Sequence, residues 1–463
     1  MHQLPGQVLL GHDIYSTSSL AVLAFVCALI ILVPRTRIQI PFVLFFYFMT
    51  YTQRILILGN AFDFTRIFCM AAWIRILARG EYRGFRWCSL DKLVVIHGIV
   101  STICAGLLWA SFPRFALEGA RVFTAAGFYF LVRIFIRDWE EVTRLVRYLA
   151  AGLVPVALLF MYESHTEQNP FSYVYPELML TPPREEHYRC QGAFGHAILA
   201  GAFVSCLIPL FISLWWDKNR NGKPLAIMGS LSAMIVVYTC NSSTPLLAIG
   251  SGIVGAIFFP FRHHVRFFFA LAVIGLVLLH IYMQGPVWSL IARMGVLGGS
   301  TAWYRYYIID KAIENFWGWA KVGTQYTEVW GPLLWDVCDQ FVREGIEGGI
   351  GRLLLFLAIL GTAFTQMGRT LRRPEVTNLE EKRIWAFWIS LFMHCGVFIG
   401  VSYFAQSVQL LYLTFAIAAS IPQFKRKSQA EEGTEINRRR NLAGSRVGRS
   451  VSDRPMQISS GSR

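Results

Sequence analysis

Charge is what this sequence has least of. Only 15% of its 463 residues are Asp, Glu, Lys or Arg, while 55% are hydrophobic, and soluble domains usually carry nearer a quarter charged residues. That scarcity argues against an ordinary soluble enzyme, and long apolar runs recur along nearly the whole chain instead. Cysteine pairs at metal-binding spacing are also missing. The nine Cys residues are scattered without a CxxC, mostly inside apolar runs where Cys behaves as a small hydrophobe, so a structural zinc site is not expected. Cys190 and Cys338 both fall in stretches expected to face outward, where a disulfide could form, although sequence fixes no geometry for it. No Lys or Arg precedes the first apolar run, Ser18 to Val33, and no small-residue cleavage pattern follows it. That run therefore reads as a retained helix rather than a cleaved signal peptide.

A hydrocarbon core about 30 Å thick needs roughly 20 apolar residues per helix. Runs that meet or approach this length lie at 18–33, 41–59, 61–77, 93–111, 121–136, 145–162, 194–215, 224–240, 244–261, 267–283, 352–368, 384–404 and 405–424. The expectation is an all-α, polytopic transmembrane bundle of about twelve or thirteen helices. The third run is the weakest, because Asp63, Arg66 and Arg75 interrupt it.

The net charge of +15 does not point to nucleic acid, because the basic residues are spread between the apolar runs instead of forming one patch. They alternate as topology determinants do, at "PRTR" from Pro34, "ARGEYRGFRWCSLDK" from Ala78, "RDWEEVTRLVR" from Arg137, "DKNRNGK" from Asp217, "RHHVR" from Arg262 and "RTLRRPEVTNLEEKR" from Arg369. Cytoplasmic loops carry excess Lys and Arg, so these segments are expected in the cytoplasm, and an odd helix count puts the N-terminus outside. The membrane domain then covers residues 1–424. The tail at 425–463 has ten Lys or Arg against four acids and is expected to be a disordered cytoplasmic segment, with anionic lipid head groups as a second reading.

Two outward segments stand out by length, from about 163 to 193 and from 285 to 350. The second is rich in Trp and Tyr, which suit both a membrane interface and the stacking of sugar rings. It contains no His.

Three outward stretches carry candidate chemistry. In "RCQGAFGHAILAGAF", Arg189 to Phe203, an Arg sits at the mouth of a helix, with His196 beside it. The glycines serve helix packing or close ligand approach. In "TCNSSTPLLAIGSG", from Thr239, Ser242 and Ser243 either cap the next helix or bind phosphate. In "GGSTAWYRYYIIDKAIENFWGWAKVGTQY", from Gly298, helical spacing gives an amphipathic helix carrying Arg305 and Tyr306. Arg305 reads as a snorkelling interfacial residue or as a fork for a lipid diphosphate. Then "WDVCDQFVREGIEGGIG", from Trp335, packs Asp336, Asp339, Arg343, Glu344 and Glu347 against a membrane helix, and charge in such a place usually marks a site.

The order of these features resembles the O-antigen ligase and O-antigen polymerase superfamily. The elements that carry the resemblance are Arg189 with Gly192 and Phe194, "NSSTP", Arg305, "FWGWAKVGTQY" and "DQFVREGIEGGIG", across roughly residues 91–424. The resemblance implies a bacterial inner-membrane glycosyltransferase, needing neither metal nor cofactor, with the long loop in the periplasm. It would pass a glycan from an undecaprenyl diphosphate carrier to a sugar hydroxyl on a glycan or lipid acceptor, alongside membrane lipids and polysaccharide assembly proteins. Arg189 and Arg305 would hold the diphosphate, and Asp339, in the place where ligases often have His, would be the base. Gln340 and Arg343 would orient acceptor or carrier, with His196, Tyr306, Ser242 and Ser243 as further substrate contacts. Asp339 paired with Arg343 one turn on is the structural alternative. Two other function classes fit the same composition: a transporter of lipid-linked saccharides and a non-catalytic assembly factor for exopolysaccharide. Charges clustered outward rather than near the midplane favour the transferase over the transporter.

Overall fold

The computed structural model describes residues 15–57, 60–178, 188–217, 219–293 and 301–424. The basic tail from Lys425, residues 179–187 of the shorter outward segment and residues 294–300 of the longer one lie outside the described residues. In chain order the elements are α1 (Thr17–Leu32), α2 (Gln39–Phe48), the hairpin β1 (Arg54–Ile57) and β2 (Asn60–Asp63), α3 (Phe64–Arg79), α4 (Ser89–Trp109), α5 (Phe112–Phe135) and α6 (Trp139–Thr166). There follow α7 (Ala197–Ser213), α8 (Gly222–Thr239), α9 (Ser243–Ile257), α10 (Val265–Tyr282), α11 (Leu290–Arg293), α12 (Thr301–Glu314), α13 (Phe316–Trp319), α14 (Gln340–Leu371), α15 (Asn378–Phe398) and α16 (Gln406–Ser420).

Every apolar run read from the sequence forms a helix, but fewer are full membrane spans than expected. Among the described residues seven helical stretches are long and apolar enough to cross a membrane: 89–109, 112–135, 139–166, 197–216, 222–239, 259–282 and 340–371. The others fall short by length, or, in α15, carry Glu380, Glu381, Lys382 and Arg383 in the first turns. The largest departure is the run 41–59, which stops as a helix at Phe48. Beyond it the chain is drawn into other bonds. Gln53 is fully buried, its side chain accepting from Ser19 Oγ at 2.6 Å and donating to Glu177 at 2.5 Å. An antiparallel hairpin then pairs Arg54 with Asp63, and Asp63 caps α3 by accepting from the Arg66 backbone N–H at 2.8 Å.

The helices alternate so that the basic connections gather at one end. There Arg75 Nη1 donates to the carbonyls of Ile30 and Val33 at 2.8 and 2.7 Å. Arg35 Nη2 donates to the Ile134 carbonyl at 3.0 Å, and Arg144 Nη1 to that of Thr36 at 2.8 Å. Arg147 pairs with Asp217, and Arg262 with Glu381 at 2.7 Å. Guanidinium groups here satisfy the orphan carbonyls of helix C-termini, where positive charge also complements the helix dipole.

The opposite end is stitched by polar side chains on backbone: Ser16 Oγ to Val174 O at 2.6 Å, Gln325 Nε2 to Leu108 O at 2.6 Å and Gln406 Nε2 to Met49 O at 2.6 Å. The aromatic segment between α10 and α14 lies at this end. Such one-sided placement of the basic connections is what a multi-pass membrane protein shows. No residue of α10 is buried, so this apolar helix presents hydrophobic surface on every side, as a lipid-embedded helix does.

Candidate functional site

The end of the bundle away from the basic loops brings most of the singled-out residues into one neighbourhood. Arg189 lies on a loop fixed from several directions. Glu163, at the end of α6, accepts from the backbone N–H groups of Gln191 and Gly192 at 2.9 and 3.0 Å, and Asn169 donates to the Gly192 carbonyl at 2.9 Å. The Cys190 N–H reaches the Thr239 carbonyl at 3.1 Å. So held, the largely buried Arg189 donates through Nε to the Cys240 carbonyl at 3.3 Å. Arg305, from α12, donates through Nη2 to Thr244 Oγ1 at 3.0 Å. The two arginines, more than a hundred residues apart in sequence, are thus tied to the two ends of one short connection, Arg189 to the C-cap of α8 and Arg305 to the first turn of α9.

Ser242 occupies the N-cap position of α9, but its side chain makes no capping hydrogen bond, and Ser243 opens the helix. The capping expected of these serines is therefore positional only. His196 is the N-cap of α7, its Nδ1 accepting from the Ile198 N–H at 3.1 Å. An Nδ1 that accepts puts the ring proton on Nε2, a donor tautomer ill-suited to act as a base there. Tyr306 is half-buried on α12; burial, then the Asp310 carboxylate, raise its hydroxyl above the ordinary value.

Asp339 is not an open carboxylate at a cavity mouth. It is only 2% exposed and caps α14, Oδ1 accepting from the Val342 N–H at 2.9 Å. It does not pair with Arg343 either: the contact between them is the first backbone bond of the helix, Arg343 N to Asp339 O at 3.0 Å. Burial pushes the Asp339 carboxyl up from 3.8 to about 6, against the pull of the Val342 and Phe341 N–H groups. Backbone donors thus offset part of the cost of burying this carboxylate. Cys338 shows what else lies close. Burial and then Asp336 push its thiol up to about 12, while Arg305 pulls it down and Asp339 adds to the rise.

Gln340 and Arg343 are engaged within the protein. Gln340 Nε2 donates to Glu344 at 2.7 Å and its Oε1 accepts from the Tyr403 N–H at 2.7 Å. Arg343 pairs with Glu347 at 2.8 Å and donates to Ser402 Oγ at 3.2 Å. The connection between α15 and α16 therefore bridges the two halves of the site. Its Gly400 packs so closely that an added Cβ would stand 2.8 Å from Thr244 and 3.3 Å from Arg305 Nη2, while Ser402 and Tyr403 receive Arg343 and Gln340.

The strongest electrostatic feature joins Arg343, Glu344 and Glu347, singled out in the sequence, to His97, Glu118, Arg121 and Arg352, which were not. Arg352 reaches Glu344 at 2.7 Å, Glu347 at 3.0 Å and Glu118 of α5 at 3.2 Å. His97 of α4 lies 3.2 Å from Glu344, and Arg121 lies 3.4 Å from Glu118. Three carboxylates thus face three guanidinium groups, Arg121, Arg343 and Arg352. Ions taken from water are tolerated only when partnered on this scale. A signal was available, since Glu118 and Arg352 each sit at the edge of an apolar run and such charges are costly.

This network surrounds a break in α14. Gly348 and Gly349 leave helical geometry, Gly349 at φ 73°, and the freed backbone finds partners in the aromatic segment. The Ile350 N–H donates to Ala320 O and the Thr324 N–H to Ile346 O, both at 2.8 Å. Non-helical backbone at membrane depth persists only where protein supplies such partners. A Cβ on Gly349 would lie 2.5 Å from the Lys321 carbonyl oxygen, so glycine is required both by φ and by space.

Among the described residues no group of His, Cys, Asp and Glu is arranged to hold a metal ion. No family model matches the chain, and no curated protein matches it. Chemically, the site offers two guanidinium groups on one short connection, a buried carboxyl that ionises near neutrality, and a rigid, charge-balanced support beneath them.

Proposed function

We propose that the protein is a membrane glycosyltransferase of the O-antigen ligase or polymerase type, in the bacterial inner membrane, acting on the side away from the basic loops. The observation that carries this reading is the attachment of Arg189 and Arg305 to the two ends of one connection, Cys240 and Thr244. Two guanidinium forks on one connection suit a diphosphate, whose oxygens they match in a bidentate way.

In the reaction, an acceptor sugar hydroxyl attacks the anomeric carbon of the carrier-linked glycan. A new C–O bond forms as the bond to the diphosphate breaks. Both electrons of the broken bond leave with the undecaprenyl diphosphate, and the arginines neutralise that charge. The hydroxyl proton passes to Asp339 once the bound acceptor displaces the packing that leaves this carboxyl 2% exposed; its value near 6 leaves it ionised at neutral pH yet basic enough to help. Gln340 and Arg343 act as positioning residues, holding the start of α14 on the connection that also touches Arg305. The buried network keeps the broken helix at one angle, which positional catalysis requires.

Lipid-linked species in a deletion strain test the reading. Glycan accumulating on carrier lipid, with Arg189→Gln and Arg305→Gln failing to restore transfer, is the expected result. Normal transfer in the strain, or full complementation by both variants, would reject it. Full-length polymer retained on the carrier assigns a ligase, and single units on the surface acceptor assign a polymerase.

A further inference from the structure

A cavity of the protein also lies away from the candidate site. A groove of about 360 Å³ opens between α7, α9 and α15, lined almost wholly by apolar side chains that include Ile212, Ile253, Trp385 and Met393, with Trp216 and Lys382 at its rim. The groove runs along α15 from Lys382 to Met393, about 16 Å at helical rise, which is roughly half the thickness of a bilayer's hydrocarbon core. It starts at the basic end of the bundle. Its length is therefore that of one lipid leaflet.

The rim carries the complementary charge. The Lys382 ammonium lies 4.6 Å from the Trp216 ring centroid, and among the described residues no carboxylate comes within ion-pair distance of it. The nearby acids are shared: Asp217 serves both Arg147 and, at 3.8 Å, Arg383, and Glu381 serves Arg262 at 2.7 Å and His263 at 3.8 Å. Cations exceed acids at this mouth, and a basic membrane edge attracts anionic head groups. The walls are held together in depth: Ser390 Oγ of α15 donates to the Cys206 carbonyl of α7 at 2.7 Å, and Gly252 of α9 is so close to Met393 that an added Cβ would lie 2.8 Å from its sulfur.

We propose that this groove binds one anionic phospholipid of the leaflet at the basic end, an acyl chain lying between α7, α9 and α15 and the phosphate on Lys382. The site is at the opposite end from the candidate glycan-transfer site and stands independently of that reading; it rests only on the chain crossing a membrane.

The test reconstitutes the full-length protein in phosphatidylcholine vesicles doped with chain-brominated phosphatidylglycerol or chain-brominated phosphatidylcholine. Tryptophan quenching is read as the difference between wild type and Trp385→Phe. Brominated phosphatidylglycerol should quench this component at about fivefold lower mole fraction, the worth of one lysine at an anionic surface. Lys382→Gln should erase that preference, Lys382→Arg should keep it, and Ala386→Phe, which fills the groove, should remove quenching by both lipids. Should Ala386→Phe fail to fold, Ile253→Phe blocks the same groove from the other wall. Equal quenching by the two lipids in wild type, preference surviving Lys382→Gln, or displacement by polyprenyl phosphate but not by unbrominated phosphatidylglycerol would each overturn the assignment.

Discussion

Asp339→Asn separates the two roles that one side chain plays here. Asn is as good an N-cap as Asp, so the bond to the Val342 N–H survives, while the capacity to take a proton is lost. The carboxyl ionises at about 6 instead of 3.8, so the folded state holds its proton more tightly than the unfolded chain does. The sign follows: this contribution favours folding below the ordinary value and is lost as pH rises through about 6. At 1.36 kcal/mol per pK unit, wild type at pH 8 carries a burden of about 3 kcal/mol that the amide does not. Asp339→Asn is therefore expected to unfold later than wild type at pH 8, with the difference fading towards pH 4, and to sit above Asp339→Ala by the cap's worth, about 1 kcal/mol. Transfer of labelled glycan in membranes should nevertheless fall by about 10²–10⁴-fold, the usual worth of a general base. Wild-type activity should decline as pH drops through 6. An amide variant with undiminished transfer would leave Asp339 a cap and nothing more, and one less stable than wild type at pH 8 would refute the assigned burial cost.

Removing Arg352 should be among the most damaging changes: Arg352→Gln takes from Glu118, Glu344 and Glu347 the one cation they share, leaving each a single weaker or partly exposed partner, and is expected to cost about 3 kcal/mol, read as a fall in melting temperature in detergent; a loss under about 1 kcal/mol, the scale of an exposed pair, would show the network to be solvated. Gly349→Ala forces a Cβ against the Lys321 carbonyl at positive φ and should cost more than the same change at Gly351, which has open space around it, as paired thermal melts would reveal. Reporter fusions after Gly299 and after Ser428 should report opposite compartments, and identical ones would refute the orientation.

The sequence made the helices legible because membrane burial demands apolar length, and each such run contains a helix, although the one from Pro41 is helical only to Phe48. It misplaced ends where polar side chains decide. The run from Pro41 looks continuous until Gln53, whose amide is claimed by Ser19 and Glu177, partners that lie far away in the chain. Helix α14 starts at Gln340 rather than at Arg352 because its charged face is paired at i,i+4, Gln340 with Glu344 and Arg343 with Glu347, behind an Asp cap. The arginines expected to face outward could be picked out because an Arg there defies the usual charge bias, yet only the fold shows that they bond to the two ends of one connection, Cys240 and Thr244. His97, Glu118 and Arg352 escaped notice as a group because they come from three helices. Each one alone reads as an isolated polar residue inside or beside an apolar run.

The measurement that bears most directly on the proposed function uses purified protein in vesicles with carrier-linked glycan, labelled in the sugar, and a soluble or lipid acceptor. The account predicts label covalently joined to acceptor, with an equal amount of undecaprenyl diphosphate released, both abolished by Arg189→Gln combined with Arg305→Gln. Label that changes its side of the bilayer while still bonded to the carrier would identify a transporter, and no chemical change with any carrier-linked glycan of the source cell would contradict the transferase outright.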